Sequence, residues 1–203
     1  MIPGMGAAHF ADGILNTPWF FHSLRGLIDP GQVRHLKAVL ARIPHASLLD
    51  LGCGIGSHCG MTDAAYTGVD RTASYIDYAG HRYAAPNRRF VVGDAFALDP
   101  ALGHHDVVAL INVVHHFGDE EVLRCLASLR AVTPHRVLLV DVAREKAGFL
   151  FTRIFGPADR GGHFRTQAAQ RALLEAAGLR LEWEDGYRTA PGIYPHSVLV
   201  AAA

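Results

Sequence analysis

Asp50, Asp70 and Asp94 each stand in or just after a short apolar run, and glycines follow the first of them at alternate positions. Leu48-Leu49-Asp50-Leu51-Gly52-Cys53-Gly54-Ile55-Gly56 reads as a buried strand that stops in a turn. There the backbone must take conformations closed to side-chain-bearing residues and come close to a ligand. Asp70 closes Tyr66-Thr67-Gly68-Val69-Asp70, 20 residues beyond Asp50, where the ribose of a bound nucleoside lies in a strand–turn–helix–strand unit. Asp94 follows Phe90-Val91-Val92-Gly93 and suits a hydrogen bond from an exocyclic adenine amine. Taken alone, the glycine turn has an equal structural reading, because turns need glycine. Three acids in succession favour a nucleoside ligand.

Four segments in order, Asp50-Leu51-Gly52-Cys53-Gly54-Ile55-Gly56, Gly68-Val69-Asp70, Gly93-Asp94-Ala95 and Asn112-Val113-Val114-His115-His116-Phe117, resemble the successive motifs of class I S-adenosylmethionine-dependent methyltransferases. The likeness spans roughly residues 46–143. Asp159-Arg160-Gly161-Gly162-His163-Phe164-Arg165-Thr166 resembles a segment of small bacterial members that act on small molecules. The resemblance implies an α/β fold, a doubly wound, seven-stranded, mostly parallel sheet with an antiparallel last strand. It implies S-adenosylmethionine as cofactor and in-line methyl transfer to an oxygen, nitrogen or carbon nucleophile of a small-molecule acceptor. Carried over residue by residue, the cofactor contacts are Asp50, Gly52, Cys53, Gly54, Gly56, Asp70, Arg71, Asp94, Ala95 and Asn112. Asp70 would take the ribose hydroxyls, Asp94 the adenine amine, and the Asn112 carbonyl the methionine ammonium. Asp50 would orient the turn or a water beside that ammonium, with a purely structural role open. Cys53 also reads as a packing residue within the turn rather than a nucleophile.

At the acceptor end the candidates are histidines, of which the chain has 13. An imidazole can take a proton near neutral pH without a large pKa shift. His115 and His116 follow the fourth strand, where the family places residues facing cofactor and acceptor, and His163 precedes a helix that commonly closes the pocket; these three are the candidate bases. Trp19, Phe20, Arg165, Tyr194 and His196 are candidate substrate contacts, and His22 lies in the same aromatic segment as Trp19 and Phe20. For each histidine a packing or surface role stands beside the catalytic one. The Arg165 guanidinium suits a carboxylate or phosphate, or else an ion pair with Asp159 or Glu175. No metal is expected, since the adjacent pairs His104-His105 and His115-His116 chelate poorly and no HExxH pattern or zinc spacing occurs.

The elements that must position these residues follow from hydrophobic spacing. Asp29-Pro30 marks a helix start, Val33, Leu36, Leu40 and Ile43 recur at helical spacing, and Pro44 ends it. A short helix is expected over 57–63, and a longer one over Thr72–Ala84. Asp106–Asn112 is a continuous apolar strand, Asp119 opens a helix with Val122, Leu126 and Leu129 inward, and Arg136–Asp141 is the fifth strand. Thr166–Ala177 is a helix ended by Gly178, and strands near 180–187 and 197–202 can pair antiparallel. Residues 1–203 read as one domain, with 1–44 a helical lid or core cover and 45–203 the cofactor-binding core.

Lys plus Arg and Asp plus Glu are both 19, so no basic face for phosphates is evident, and a nucleic-acid partner is not expected. Cys53, Cys59 and Cys125 form no disulfide framework. With no long apolar run and no leader pattern, neither a membrane partner nor export is expected, and the location reads as cytoplasmic. The oligomeric state stays open. Two alternatives remain: a protein that binds S-adenosylmethionine without turnover, and a nicotinamide-dependent oxidoreductase. The second fits less well, because Gly56 falls one place early for GxGxxG.

Overall fold

Every residue from Val107 to Ile111 is buried, and the strand shares its side chains between two layers. Val108 and Leu110 point into one apolar cluster, while Val107, Ala109 and Ile111 point into the other. A strand covered on both faces needs helices on both faces, and the chain supplies them. The computed structural model describes residues 31–158, 161–189 and 194–203. Strands β1 (Ser47–Leu51), β2 (Ala65–Asp70), β3 (Arg88–Val92), β4 (Val107–Ile111) and β5 (Arg136–Val142) alternate with helices α1 (Gln32–Leu40), α2 (Ala73–Tyr83) and α3 (Asp119–Ser128). Helix α4 (Gln167–Ala176) and the antiparallel pair β6 (Arg180–Arg188) and β7 (Pro195–Ala202) complete it.

The sheet has seven strands in the order β3-β2-β1-β4-β5-β7-β6. β1 pairs parallel with both β2 and β4, so the order reverses there. At such a switch point the loops leaving the two strands part to opposite sides and open a crevice at their carboxyl ends. β7 enters between β5 and β6, antiparallel to both. One layer joins Leu49, Val69, Val137 and Leu199 to Val122, Cys125 and Leu126 of α3 and to Leu173 and Leu174 of α4. The other joins Leu48, Tyr66, Leu138, Val140 and Val198 to Leu36, Val39 and Leu40 of α1.

Several boundaries differ from the sequence reading. β3 starts at Arg88 rather than Phe90 and ends before Asp94. It is an edge strand, where charged side chains reach water and discourage further pairing. Over 57–63 only a single 3-10 turn forms, Cys59–Met61. Asp29, Pro30 and the aromatic segment proposed as a lid lie outside the described residues. Between β5 and α4 a π-helical turn, Phe151–Phe155, runs into one helical turn, Gly156–Ala158. No helix among the described residues is long and apolar enough to cross a membrane.

Candidate active site

The glycine turn leaves β1 with all three glycines at positive φ: Gly52 80°, Gly54 54° and Gly56 76°. Gly52 is fixed from inside, where a Cβ would sit 2.5 Å from Val113 Cγ2. That close approach sets the turn directly against the segment leaving β4. Gly54 faces the other way: among the described residues nothing lies within 4 Å of where its Cβ would be. A bare backbone with positive φ facing open space is what close approach of a ligand requires. The Gly54 N–H donates to Asp70 Oδ2 at 2.9 Å, and the Thr72 N–H to Asp70 Oδ1 at 2.8 Å. Asp70 thus holds the turn, and each of its oxygens keeps capacity for another donor. Asp94 accepts from the Phe96 N–H at 2.9 Å and is otherwise exposed, as is Arg71. Ala95 is half-buried. A nucleoside-bearing sulfonium fits this cradle: open glycine backbone, then a carboxylate at β2, then one after β3.

Two members of the turn face inward. Asp50 is buried and accepts from the Tyr66 hydroxyl at 2.7 Å. Cys53 lies against Gly68, where a Cβ would meet its sulfur. Burial, then the nearby Asp50 and Asp70 carboxylates, push the Cys53 thiol well above its usual pKa. Its side chain thus packs inside the turn, and only its backbone is placed to meet a ligand.

Asn112 follows β4 at φ 53°, a left-handed conformation that asparagine tolerates better than most residues. Its side chain joins two parts of the fold. Oδ1 accepts from His196 Nε2 at 3.0 Å, and Nδ2 donates to Gln32 Oε1 at 3.3 Å. Gln32, buried at the start of α1, also accepts from His58 Nε2 at 2.6 Å and donates to the Tyr187 hydroxyl at 2.8 Å. Residues from five separate stretches of chain are thereby tied together beside the crevice. Tyr187 stacks on His196, with ring centroids 4.8 Å apart.

His115 and His116 diverge sharply. His115 is 5% exposed, and its Nδ1 lies 2.6 Å from Asp141 Oδ1 while its backbone N–H donates to Asp141 Oδ2 at 3.1 Å. Burial alone would push the Asp141 carboxyl up. The facing His115 and the Val142 N–H outweigh it and hold the carboxyl below its usual range. The His115 ring stacks on Phe164 at 5.0 Å, and a Cβ on Gly161 would overlap it. His115 is thus a locked ring. His116 is exposed, with its ring 4.2 Å from that of His115. His163 is exposed too, over Gly118 at the start of α3.

Arg165 overturns its reading as a substrate contact. Nε and Nη2 reach Asp119 Oδ1 at 2.8 and 2.7 Å. Nη1 donates to the carbonyls of Val114 at 2.9 Å and His163 at 3.1 Å, and Nη2 to that of Phe117 at 2.6 Å. All five N–H groups are engaged, so none is left for a substrate carboxylate. The ion-pair partner is Asp119 rather than Glu175, and Asp159 lies outside the described residues. Arg165 staples residues 114–117 to 163–165, and so holds His115 and His116 in place.

Tyr194 is half-buried and lies edge-on to Phe151 at 5.2 Å; Phe151 in turn meets Phe164 at 5.1 Å. His196 is buried and lies 6.4 Å from Tyr194. Rings therefore run unbroken from His116 through His115, Phe164, Phe151 and Tyr194 to His196 and Tyr187. Trp19, Phe20 and His22 lie outside the described residues. Gln32, His58, Asp141 and Tyr187 were not singled out from the sequence. Asp141, an acid closing an apolar strand as Asp70 does, carried a usable signal; the other three did not.

A family model described as a methyltransferase domain matches residues 48–136. The tRNA (carboxymethyluridine(34)-5-O)-methyltransferase alkbh8 of Xenopus tropicalis is 34% identical over 93 residues, 45% of this chain and 14% of that protein. The chain thus spans about one seventh of the length of that curated relative. Magnesium protoporphyrin IX methyltransferase from Synechocystis PCC 6803 with bound SAH superposes with a TM-score of 0.70 at 20% identity, over 96% of this chain and 99% of that one. Human N-acetylserotonin methyltransferase in complex with SAM superposes at 0.71 and 19% identity, over 98% of this chain and 60% of that one. At such identities the likeness to both structures is one of fold.

Proposed function

We propose that this chain, whose residues 48–136 match a methyltransferase-domain family model, is a class I S-adenosylmethionine-dependent methyltransferase and methylates a small, ring-bearing organic molecule rather than a macromolecule. The observation that carries this reading is the row of rings from His116 to Tyr187 at the carboxyl ends of β4, β5 and β6 and the amino end of β7. Flat apolar faces with a few neutral polar groups suit an aromatic or conjugated acceptor. The charged groups beside them are turned to internal work: Asp141 faces His115, and Arg165 is spent on its staple. The balanced charge of the chain supports the same reading. Two proteins of like fold carry ring compounds in their names, a magnesium protoporphyrin and an acetylserotonin.

Bound S-adenosylmethionine supplies an electrophilic methyl on a sulfonium, so the protein's task is positioning and exclusion of water. Gly52, Gly54 and Gly56 would hold its methionine end, Asp70 its ribose, Asp94 its adenine, and the Asn112 backbone its ammonium. For a hydroxyl acceptor, the exposed His116 takes the proton. His115, fixed by Asp141, backs the His116 ring and sets its position. His163, over Gly118, lies at the rim and is assigned no proton transfer.

A nucleic-acid acceptor is the second reading, favoured by the tRNA methyltransferase relative alone. Transfer of a labelled methyl from S-adenosylmethionine should be measured with a panel of aromatic hydroxyls, amines and carboxylates and with bulk tRNA. We expect turnover on members of the small-molecule panel and none on tRNA. Turnover confined to tRNA would overturn the proposal.

A further inference from the structure

His104, Asp106 and His135 come together at the amino ends of β4 and β5, the end of the sheet opposite the glycine turn and Asn112. They offer one ligand atom each, and these atoms all lie within 4.8 Å of one another. His104 Nε2 and His135 Nδ1 both stand 3.5 Å from the same oxygen, Asp106 Oδ1. That spacing is long for a hydrogen bond. It matches two ligands of one tetrahedral ion, which at about 2.0–2.2 Å from a zinc stand roughly 3.3–3.6 Å apart.

We propose that His104, Asp106 and His135 form a binding site for a divalent transition metal of the zinc type, distinct from the methyl-transfer site. Two imidazoles and one carboxylate suit zinc and its neighbours, with remaining positions for water, whereas magnesium and calcium take oxygen ligands.

The surrounding contacts prepare each ligand. Asp106 Oδ2 accepts from the N–H groups of Ala46 and Ser47, at 2.7 and 2.9 Å, and from the Ser47 hydroxyl at 3.1 Å. Oδ1 is thereby aimed at the two rings. His104 Nδ1 lies 3.0 Å from the Thr133 hydroxyl. If Nδ1 carries the proton, Nε2 presents its lone pair to the ion, the second contact that ligating histidines usually have. Thr133 itself holds φ 39°, an uncommon backbone for a β-branched residue. The His135 N–H donates to the Asp106 carbonyl at 3.0 Å, and its carbonyl accepts from the Ala203 N–H at 3.1 Å. An ion here would tie the starts of β4 and β5 to the start of β1 and the end of β7.

Adjacent-pair reasoning in the sequence set His104 with His105, but His105 is buried and reaches Thr67 instead. The true partner, His135, is brought in by the β4–β5 pairing.

The test is calorimetric titration of zinc chloride into the full chain after removal of metals with EDTA, beside magnesium chloride. We expect one equivalent of zinc to bind in the micromolar range, and no magnesium. The His104→Gln/His135→Gln double variant, altered only at exposed rings, should bind zinc at least tenfold more weakly while keeping its fold and methyl transfer. Thr133→Val should weaken binding by about tenfold. Absence of stoichiometric zinc in the wild type, unchanged binding in the double variant, or equal binding of magnesium would each overturn the proposal.

Discussion

The two halves of the proposed active site are built from different material. The cofactor half is backbone and strand-end acids within one stretch of about 45 residues: the glycine turn, Asp70 and Asp94. The proposed acceptor half is side chains, the rings from His116 to Tyr187, backed by hydrogen bonds of Gln32, His58, Asn112, Asp141, Tyr187 and His196 across the sheet. The first can be rigid because its ligand is the same in every turnover. The second is a network of side chains at the strand ends of a fixed sheet, so acceptor choice can change without disturbing the cradle. The comparison teaches that binding and transfer should be separable by mutation.

The sharpest way to break the comparison is at the pair His115 and His116, neighbours in sequence with opposite surroundings. His115→Ala leaves the buried Asp141 carboxylate without the ring that faces it and should cost about 3–5 kcal/mol of stability, read from denaturant midpoints. His116→Ala should leave stability within about 0.5 kcal/mol while lowering turnover at least a hundredfold or so. Equal destabilisation by the two would erase the distinction between a locked ring and a working one. Next in size, Asp70→Ala should weaken S-adenosylmethionine binding by about 1.5–3 kcal/mol, with the Gly54 N–H also losing its acceptor. Gln32→Ala should cost about 1–3 kcal/mol through unsatisfied buried partners and shift acceptor KM while leaving cofactor affinity nearly intact.

The smallest effect is in pH. Folding holds the Asp141 carboxyl below its usual range, so its contribution is whole above the unfolded value of about 3.9 and is lost as pH falls through the folded value. Asp141→Asn should therefore lose less stability than the wild type as pH falls below about 4. Parallel acid-unfolding curves would contradict this.

What could be read from the sequence divides along the same line. The sheet, its helices and the glycine cradle follow from local patterns: apolar runs, alternate glycines and acids at strand ends. Asp50 and Cys53 belong to the same motif, yet they face inward, because a motif gives position along the chain and not the side a residue turns to. For Arg165 the sequence leaves substrate contact and ion pair open for a related reason. Its partners at 114, 117 and 119 lie some 50 residues away, and only the fold reveals that its charge is already used. Gln32 and His58 carry no local signal at all, since their role depends on Asn112 and Tyr187 arriving from other strands.

Calorimetric titration of S-adenosylmethionine into the wild type, Asp70→Ala and His116→Ala, each paired with a methyl-transfer assay, tests the separation of the two halves most directly. The account predicts that Asp70→Ala loses affinity, and that His116→Ala binds the cofactor as the wild type does but transfers little methyl. Loss of cofactor affinity in His116→Ala in proportion to its lost turnover would contradict it.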